Sequence, residues 1–271
     1  MNTRTLLNGL RADTLKDELT VYYQPIIVLR TGQILGYEAL LRWFHPKEGL
    51  ISPGIFIPFA EQHHMMLEIT RILFEKVINE QKIWNHNDRT IISLNISPSL
   101  LTEDYLSHLL DILDADDQLL RDQIILELTE TSIFKNPDAS RKIIHRLNDN
   151  GYKFALDDFG TGYSSLTNLR DLPFDELKID KSFTQHLDEK HNKDHILIDA
   201  ILSIAHAFGA FVVAEGIETQ EKLQQLKSMH CYAGQGYLFA KPMPSHAIAD
   251  WHAQWPDQWR QLARETKHAV I

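Results

Sequence analysis

Short apolar segments alternate with longer amphipathic ones along most of this chain. The short segments are rich in Ile, Leu, Val and Phe, as buried strands are, and the longer ones repeat their apolar positions with helical spacing. The predicted strands are Val21–Ile27, Ile34–Leu40, Thr90–Asn95, Gln123–Leu128, Lys153–Asp158, Glu176–Ile179, Phe211–Ala214 and His230–Gln235. The predicted helices are Leu6–Leu19, Met65–Asn87, Pro98–Leu113, Pro137–Asn150, Lys193–Phe208, Thr219–Met229 and Ser245–Lys267. Such alternation predicts a mostly parallel sheet with helical crossovers.

The first two strands are expected to form a hairpin. The turn signal Thr31-Gly32 lies between them, and the connection is too short for a helical crossover, so the two strands are antiparallel. Eight strands in one uninterrupted chain favour a closed barrel over a doubly wound open sheet. The predicted fold is therefore α/β, a TIM-like (β/α)8 barrel with its first strand antiparallel.

The chain divides into a lead-in helix (residues 1–18), a barrel (19–250) and a C-terminal helix and tail (251–271). Pro256 interrupts the last helical stretch, which predicts two helical pieces, the second starting at the proline. Trp251, Trp255 and Trp259 recur at every fourth position there. This spacing favours packing against the barrel, with a self-association face as the alternative.

Composition excludes several classes of protein. The 271 residues are 44% hydrophobic and 24% charged, as in an ordinary globular protein, and the net charge of −10 without a basic stripe argues against binding polymeric nucleic acid. The single Cys231 excludes a disulfide framework and a thiolate metal cluster. The chain shows no signal-peptide pattern and no apolar stretch of membrane-spanning length, so we expect a cytoplasmic protein without membrane insertion.

Polar side chains stand at the same end of successive predicted strands. Any one of them is most simply a surface acid or an ion-pair partner, but barrel strands converge at their carboxyl ends, where active sites lie. The set as a whole therefore predicts a functional site. Its members are Glu38, Asn95, Glu127, Asp157, Asp158, Lys178, Glu215 and Gln235.

The chemistry of this set favours metal binding. Carboxylate and amide oxygens without His or Cys suit Mg²⁺ or Mn²⁺, and six such donors exceed what one ion needs. Two ions bridged by a shared carboxylate are expected, an arrangement that commonly catalyses in-line displacement at phosphorus. Lys178 fits a different role, since its ammonium can hold the attacking water or neutralise developing charge.

Two glycines follow the paired acids in the stretch from Asp157 to Ser165. Glycine permits positive φ angles and close approach of other groups. The stretch is either a tight turn between strand and helix or a mobile loop that positions Asp158 when the site is assembled.

Several motifs, in this order along the chain, resemble those of the EAL domain family, the cyclic-di-GMP-specific phosphodiesterases. The resemblance covers roughly Leu19 to Pro244. The motifs are Glu38-Ala39-Leu40 with Leu41-Arg42-Trp43, Asn95-Ile96-Ser97, Glu127-Leu128-Thr129-Glu130, Asp157 to Ser165, Leu177-Lys178-Ile179-Asp180, Ala214 to Thr219, and Gln235-Gly236-Tyr237. His230 and Tyr232, which flank Cys231, and Lys241 depart from the family pattern, outside the metal set.

The resemblance implies a division of labour among these residues. One metal ion would be held by Glu38, Asn95, Glu127 and Asp157, and the second by Asp157, Asp158 and Glu215. The catalytic residues would be Lys178, Glu215 and Glu38, of which Lys178 would contact the nucleophilic water, and the product would be linear pGpG.

Further roles come from the same resemblance. Gln24 and Arg42 would reach the substrate, Gln235 would support the site, and Glu130 would anchor the loop that starts at Asp158. In this family that loop couples dimerisation to activity, so a homodimer is expected, and a separate regulatory partner is possible.

Two other functions are weighed against hydrolysis of cyclic-di-GMP. The same fold can serve as a messenger receptor without turnover, although this chain keeps every metal ligand. Alternatively, Glu127 and Glu215 could be the two carboxylates of a barrel glycosidase, which leaves Asn95 and Lys178 without a role.

Overall fold

A closed ring of strands surrounded by helices makes up the described part of the chain. This computed structural model describes residues 9–10, 12–84, 90–114, 121–133, 137–161, 169–187 and 193–268. Its strands are β1 (Leu19–Val28), β2 (Ile34–His45), β3 (Gly49–Ile51), β4 (Ile91–Asn95), β5 (Ile124–Thr129), β6 (Lys153–Phe159), β7 (Glu176–Ile179), β8 (Phe211–Ala214), β9 (Ala233–Gly234) and β10 (Met243–Pro244).

Helices follow most of these strands. They are α1 (Ala12–Glu18), α2 (Pro53–Gln62), α3 (Met66–Trp84), α4 (Glu103–Leu113), α5 (Glu130–Ile133), α6 (Pro137–Asp149), α7 (Lys181–Thr184), α8 (Asp194–Phe208), α9 (Gln220–Ser228) and α10 (Ser245–His268). Short 3-10 turns occupy Pro98–Leu100 and Arg121–Gln123. No described helix combines the length and apolarity that crossing a membrane requires.

The sheet closes on itself through β1. Its order runs β1-β9-β8-β7-β6-β5-β4-β2, and β2 pairs again with β1. β1 is antiparallel to both of its ring neighbours, while β2 and β4 through β9 pair in parallel. The predicted barrel with an antiparallel first strand is confirmed, and β3 and β10 extend its rim as short antiparallel additions.

Parallel strands of a barrel are buried on both faces, which explains their nearly continuous apolar sequences. Outward-facing side chains such as Leu94 and Leu126 join the large core under the helices. Inside the ring, Ile26, Val213 and Ala233 form a separate small core. All of these residues are at most 1% exposed.

Local signals set several helix ends as the sequence predicts. Thr219 caps α9 by accepting a hydrogen bond from the amide of Lys222 at 3.3 Å. Gly209 ends α8 with a φ of 75°. The predicted helix Pro98–Leu113 is instead divided into the 3-10 turn and α4, because Thr102 stands in an extended conformation as the N-cap of α4.

The predicted break at Pro256 is wrong, since α10 runs through it without interruption. Tryptophan packing on both sides of the proline explains this. Trp251 stacks on Trp255 at a ring distance of 5.1 Å, and Trp255 contacts Trp259 at 5.7 Å. The buried Trp255 indole also donates a hydrogen bond to the carbonyl of Gly32 at 2.7 Å. The predicted packing role of the tryptophans is thus confirmed.

The last strand is shorter than predicted, and one helix was missed. The predicted strand His230–Gln235 reduces to β9, because His230, which follows the C-cap Met229 of α9, adopts a positive φ of 60°. The helix α2 was missed because Pro58 lies inside it and its sequence is apolar on most sides. The start of the predicted helix Leu6–Leu19 lies largely outside the described residues.

Candidate active site

The predicted site residues converge at one mouth of the barrel. Asn95 is the last residue of β4, and Glu215 and Gln235 directly follow β8 and β9. Glu38 was expected at the end of its strand, but it lies within β2, which continues to His45. The extension exists because residues 39–43 still pair with β1 and residues 43–45 pair with β3.

Lys178 lies at the centre of the mouth. Its ammonium Nζ is 2.8 Å from Oε1 of Glu215, 2.9 Å from Oε2 of Glu127, 3.4 Å from Oε2 of Glu38 and 3.5 Å from Oδ1 of Asp157. The Lys178 side chain is 1% exposed and that of Glu127 is fully buried. One buried cation therefore faces four carboxylates, which leaves a strong excess of negative charge.

Amide side chains tie the carboxylates to one another. Gln235 Nε2 donates hydrogen bonds to Oε2 of Glu38 at 2.7 Å and to Oε1 of Glu215 at 3.2 Å. Asn95 Nδ2 donates to Oε1 of Glu38 at 2.9 Å. Both oxygens of Glu38 are thereby held, so its orientation is fixed from two strands.

Burial and repulsion raise carboxylate pKa values in this cluster, whereas Lys178 and hydrogen bonds lower them. Burial and the charge of Glu38 raise the pKa of Glu127 well above its ordinary value, and burial raises that of Glu215 to about 7. Burial alone would raise the pKa of Glu38 as well, but Lys178 and hydrogen bonds from Gln235 and Asn95 keep it below its ordinary value. Burial opposes the charge of Lys178, yet the surrounding carboxylates raise its pKa well above normal.

The donor set fits divalent metal ions in its chemistry. Every predicted ligand offers oxygen, and the buried Oε1 of Glu127 has no hydrogen-bond partner. Among the described residues, however, the carboxylates do not form a ready-made metal cage, because they converge on Lys178. Metal ions at this position would have to take the place that the Lys178 ammonium occupies among these carboxylates.

Asp158 lies apart from this cluster. It has a positive φ of 54°, and its pKa is raised to about 6 by burial and by the charges of Asp157 and Asp180. No ion pair between Asp158 and Lys178 is found within the described residues. The charge of Lys178 still acts on the Asp158 carboxylate, where it opposes the rise in pKa.

Glu130 holds the loop after Asp158. The Glu130 side chain is 2% exposed, and its Oε2 accepts a hydrogen bond from the amide of Gly160 at 2.8 Å. Thr161 donates back to the carbonyl of Asp158 at 2.7 Å, which closes a tight turn. The turn and the anchor are described to residue 161, and the predicted loop from Gly162 to Ser165 lies outside the described residues.

A groove of about 800 Å³ opens beside the acidic mouth. Its floor carries Asn95, Asp157 and Asp158, and Arg42 stands on its wall. The rest of the wall is largely apolar, formed among others by Ile57, Pro58, Met66, Ile69 and Leu73. The groove therefore combines charged and apolar surface, as sites that bind small molecules commonly do.

Arg42 and Gln24 occupy different parts of the rim. The guanidinium of Arg42 lies 5.6 Å from the ring centre of Tyr22. Gln24 is 8% exposed, and its Nε2 donates to the carbonyl of Ala240 at 3.2 Å. The groove includes Arg42 but not Gln24, so substrate contact by Gln24 stays a prediction.

Sequence reasoning missed Glu176. This residue precedes Lys178 by two positions on β7, so both side chains point into the barrel. Glu176 is 1% exposed, its Oε1 has no hydrogen-bond partner, and burial raises its pKa to about 8. Alternation along the Glu-Leu-Lys-Ile strand was the signal that could have found it.

Comparison with known proteins gives a consistent result. The model of the EAL domain matches residues 7–242. A probable cyclic di-GMP phosphodiesterase, PdeB of Escherichia coli K12, is 37% identical over 238 residues, which are 88% of this chain and 45% of PdeB. The chain spans 30% to 45% of the length of several curated relatives that it matches.

Solved structures show the same similarity. One described as the PaMucR phosphodiesterase in complex with c-di-GMP has a TM-score of 0.82 and 33% identity, with 90% of this chain and 99% of that chain covered. An EAL domain protein from Listeria monocytogenes EGD-e has a TM-score of 0.80 and 28% identity, with 93% and 98% covered.

Proposed function

The chain belongs to the EAL domain family, and from this premise we propose that it is a metal-dependent phosphodiesterase that hydrolyses cyclic-di-GMP to linear pGpG. The names of the relatives support the substrate, since PdeB is a probable cyclic di-GMP phosphodiesterase and the PaMucR structure is a c-di-GMP complex. The observation that carries the proposal is the cluster of carboxylates and amides around Lys178 at the barrel mouth.

The proposed cofactors are two Mg²⁺ or Mn²⁺ ions. One would be held by Glu38, Asn95, Glu127 and Asp157, and the other by Asp157, Asp158 and Glu215. When bound, such ions supply Lewis acidity and lower the pKa of water. The unpartnered Oε1 of Glu127 and the raised pKa of Glu215 support this assignment, since each indicates a carboxylate that lacks sufficient positive charge.

Lys178 is proposed to orient the attacking water and to offset charge at phosphorus. Its Nζ carries three N–H donors, which the acidic side chains occupy in the described arrangement. A donor released from Glu127 or Glu215 can hold the water by a hydrogen bond. The water gives its proton to the carboxylate of Glu215 or Glu38 as its oxygen bonds to phosphorus. The bond from phosphorus to the 3′ oxygen breaks on the opposite side, and the 3′ oxygen takes up a proton from solvent.

The groove is proposed to orient the dinucleotide. Arg42 can pair with a phosphate oxygen at the acidic end, where it offsets the repulsion between carboxylates and substrate. The apolar wall with Ile57 and Pro58 offers a flat surface for a guanine base. Gln235 supports the site by fixing Glu38 and Glu215, and Gln24 is proposed to contact the nucleotide from β1.

Chromatography of guanine dinucleotides with and without EDTA tests this proposal. We expect pGpG to form from cyclic-di-GMP with Mn²⁺ or Mg²⁺, and chelation to stop it. Asp157→Ala and Glu38→Ala should each abolish turnover, whereas Glu103→Ala, which removes an exposed carboxylate paired with Arg146, should not. Near-normal turnover in either site variant would contradict the ligand assignment, and binding without product would favour a receptor.

Proposals on localisation, oligomeric state and domain bounds follow from the same family membership. We propose a cytoplasmic homodimer whose catalytic unit is residues 19–250, flanked by the helices in 1–18 and 251–271, with a possible separate regulatory partner. Support comes from the family and from the buried free thiol of Cys231, which fits a reducing compartment. Sedimentation analysis of the full chain, with and without substrate, tests the dimer.

A further inference from the structure

Glu215 lies where the regular strand pairing has ended. β8 stops at Ala214, and the Glu215 side chain is 19% exposed, more than those of Glu38, Glu127 and Lys178. A ligand in such a position needs support from outside its own strand if its carboxylate is to keep a fixed place.

Gln235 supplies part of that support through its hydrogen bond to Oε1 of Glu215. The rest comes from one short segment, residues 178–184. The amide of Glu215 donates to the carbonyl of Ile179 at 3.0 Å. The Glu215 carboxylate contacts Nζ of Lys178 at 2.8 Å. The third tie is the Glu215 carbonyl, which accepts a hydrogen bond from the hydroxyl of Thr184 at 2.5 Å.

The hydroxyl of Thr184 has one proton and two carbonyls within reach. The carbonyl of Lys181 is farther away, at 3.1 Å, and it already accepts from the amide of Gln185 at 2.8 Å. The shorter contact therefore takes the proton, and Thr184, which is fully buried, directs it to Glu215.

Close packing of α7 against the next residue reinforces the contact. Gly216 has a φ of 70°, and a Cβ there would lie 2.7 Å from Cβ of Lys181 and 3.1 Å from Oγ1 of Thr184. Only glycine permits both this backbone conformation and this approach. The peptide that joins residues 215 and 216 thus packs directly against α7.

We propose that Thr184 is a positioning residue for Glu215, and that its hydroxyl fixes the peptide from which this metal-ligating carboxylate extends. The inference rests on the proposed function for its consequence, since loss of the hydroxyl should weaken divalent-metal binding. Supporting hydrogen bonds of this kind typically change metal affinity by about tenfold or more.

The test compares full-length variants by calorimetric titration with Mn²⁺ in the absence of nucleotide. Thr184→Val keeps the side-chain shape but lacks the hydroxyl, and we expect about tenfold weaker Mn²⁺ binding. Thr184→Ser keeps the hydroxyl, and we expect it to bind Mn²⁺ as the parent chain does. Equal loss in both variants, or parental affinity in Thr184→Val, overturns the proposal.

Tyr152→Phe is the matched control. It also removes a buried hydroxyl, one that donates to Asp114 next to the amino end of β6, at the opposite end of the barrel. We expect it to lower the melting temperature without weakening Mn²⁺ binding. A decrease in Mn²⁺ affinity equal to that of Thr184→Val assigns the effect to general loss of stability and overturns the proposal.

A second measurement separates this inference from the proposed function. In crystals of Thr184→Val, the peptide joining residues 215 and 216 should be displaced or rotated relative to the parent protein, while in Thr184→Ser it should not. An unchanged peptide in Thr184→Val overturns the role of Thr184. Failure of the parent chain to bind Mn²⁺ would refute the metal assignment, and the crystals would still decide the role of Thr184.

Discussion

At the scale of single residues, Lys178 neutralises part of a cluster of carboxylates that repel one another. Carboxylate oxygens of four acidic residues lie within 3.5 Å of its Nζ, so these four groups share a single ammonium. Removing one partner of a buried ion pair is far more costly than forming the pair is favourable, because the remaining charge stays buried.

Lys178→Ala should therefore be destabilising in the presence of a chelator. We expect the free energy of unfolding to fall by about 3–5 kcal/mol, measured by urea denaturation in EDTA. Mn²⁺ should restore more stability to this variant than it adds to the parent chain, and turnover should fall more than Mn²⁺ affinity. Lys16→Ala is the control, since it removes an exposed pair with Glu75 and should cost at most about 1 kcal/mol. An equal loss in both variants would contradict the central role of Lys178.

Glu127→Gln should separate stability from activity. The change keeps the side-chain shape and replaces a buried carboxyl group by a neutral amide. Burial and the charge of Glu38 raise the pKa of that carboxyl, so its ionised form is unfavourable. We expect a higher melting temperature in EDTA, measured by calorimetry, together with a loss of turnover of at least about 10-fold because a ligand charge is gone. A lower melting temperature, or full turnover, would count against the proposed site.

At the residue scale, the sequence predicted which polar side chains lie together, for a physical reason. Polar residues at the carboxyl ends of parallel strands have only one mouth in which to meet, so Glu38, Asn95 and Glu127 could be grouped without coordinates. Glu176 was missed because it lies deeper in the barrel, where the expectation is an apolar side chain. The seating of Thr184 on residue 215 depends on a contact between distant segments, which no local pattern indicates.

At the scale of elements, the Glu130 anchor connects α5 to the loop after β6. Glu130→Ala removes the acceptor of the Gly160 amide, so we expect turnover to drop by about 10-fold or more while the Mn²⁺ affinity changes little. Steady-state kinetics and calorimetric titration check the two halves of this prediction. A variant with normal turnover would show that the anchor does not serve catalysis.

The uninterrupted helix α10 gives a second prediction at this scale. Pro256 is exposed and lies in the helix interior, where it lacks the N–H of a regular helical hydrogen bond. Pro256→Ala should raise the free energy of unfolding by about 1–3 kcal/mol, measured by urea denaturation. Gln254→Ala, at an exposed position two residues earlier, should change it by less than about 0.5 kcal/mol. A loss of stability in Pro256→Ala would contradict the continuous helix.

Elements that depend on tertiary contacts were the ones that the sequence failed to predict. Local propensity correctly places the end of α8 at Gly209, because caps and turns act within a few residues. At Pro256 the distant contact from Trp255 to Gly32 outweighs the local penalty, and the helix continues. In α2, Pro58 and the apolar sequence concealed a helix that is held by packing of Phe56 and Ala60.

At the scale of the whole molecule, the barrel brings residues from seven strands and their ends to one mouth, the site of the proposed metal ions. Mg²⁺ or Mn²⁺ should therefore raise the melting temperature of the full chain, and EDTA should remove this increase, since ligands that bind only the folded state stabilise it. Ca²⁺ should bind but support no turnover, because it is larger and tolerates irregular coordination. Full turnover with Ca²⁺ as the sole divalent ion would contradict the proposed mechanism.

The ammonium of Lys178 inside the acidic mouth has a consequence for how such a protein matures. Many small zinc domains fold only when the metal ion binds, because the free energy of metal binding drives their folding. Here the ammonium of Lys178 belongs to the chain itself and lies within 2.9 Å of both Glu127 and Glu215, so we expect newly synthesised copies to reach the native barrel without manganese or magnesium. If the proposed ions are required for turnover, their scarcity in the cell would then leave folded but inactive molecules rather than unfolded ones.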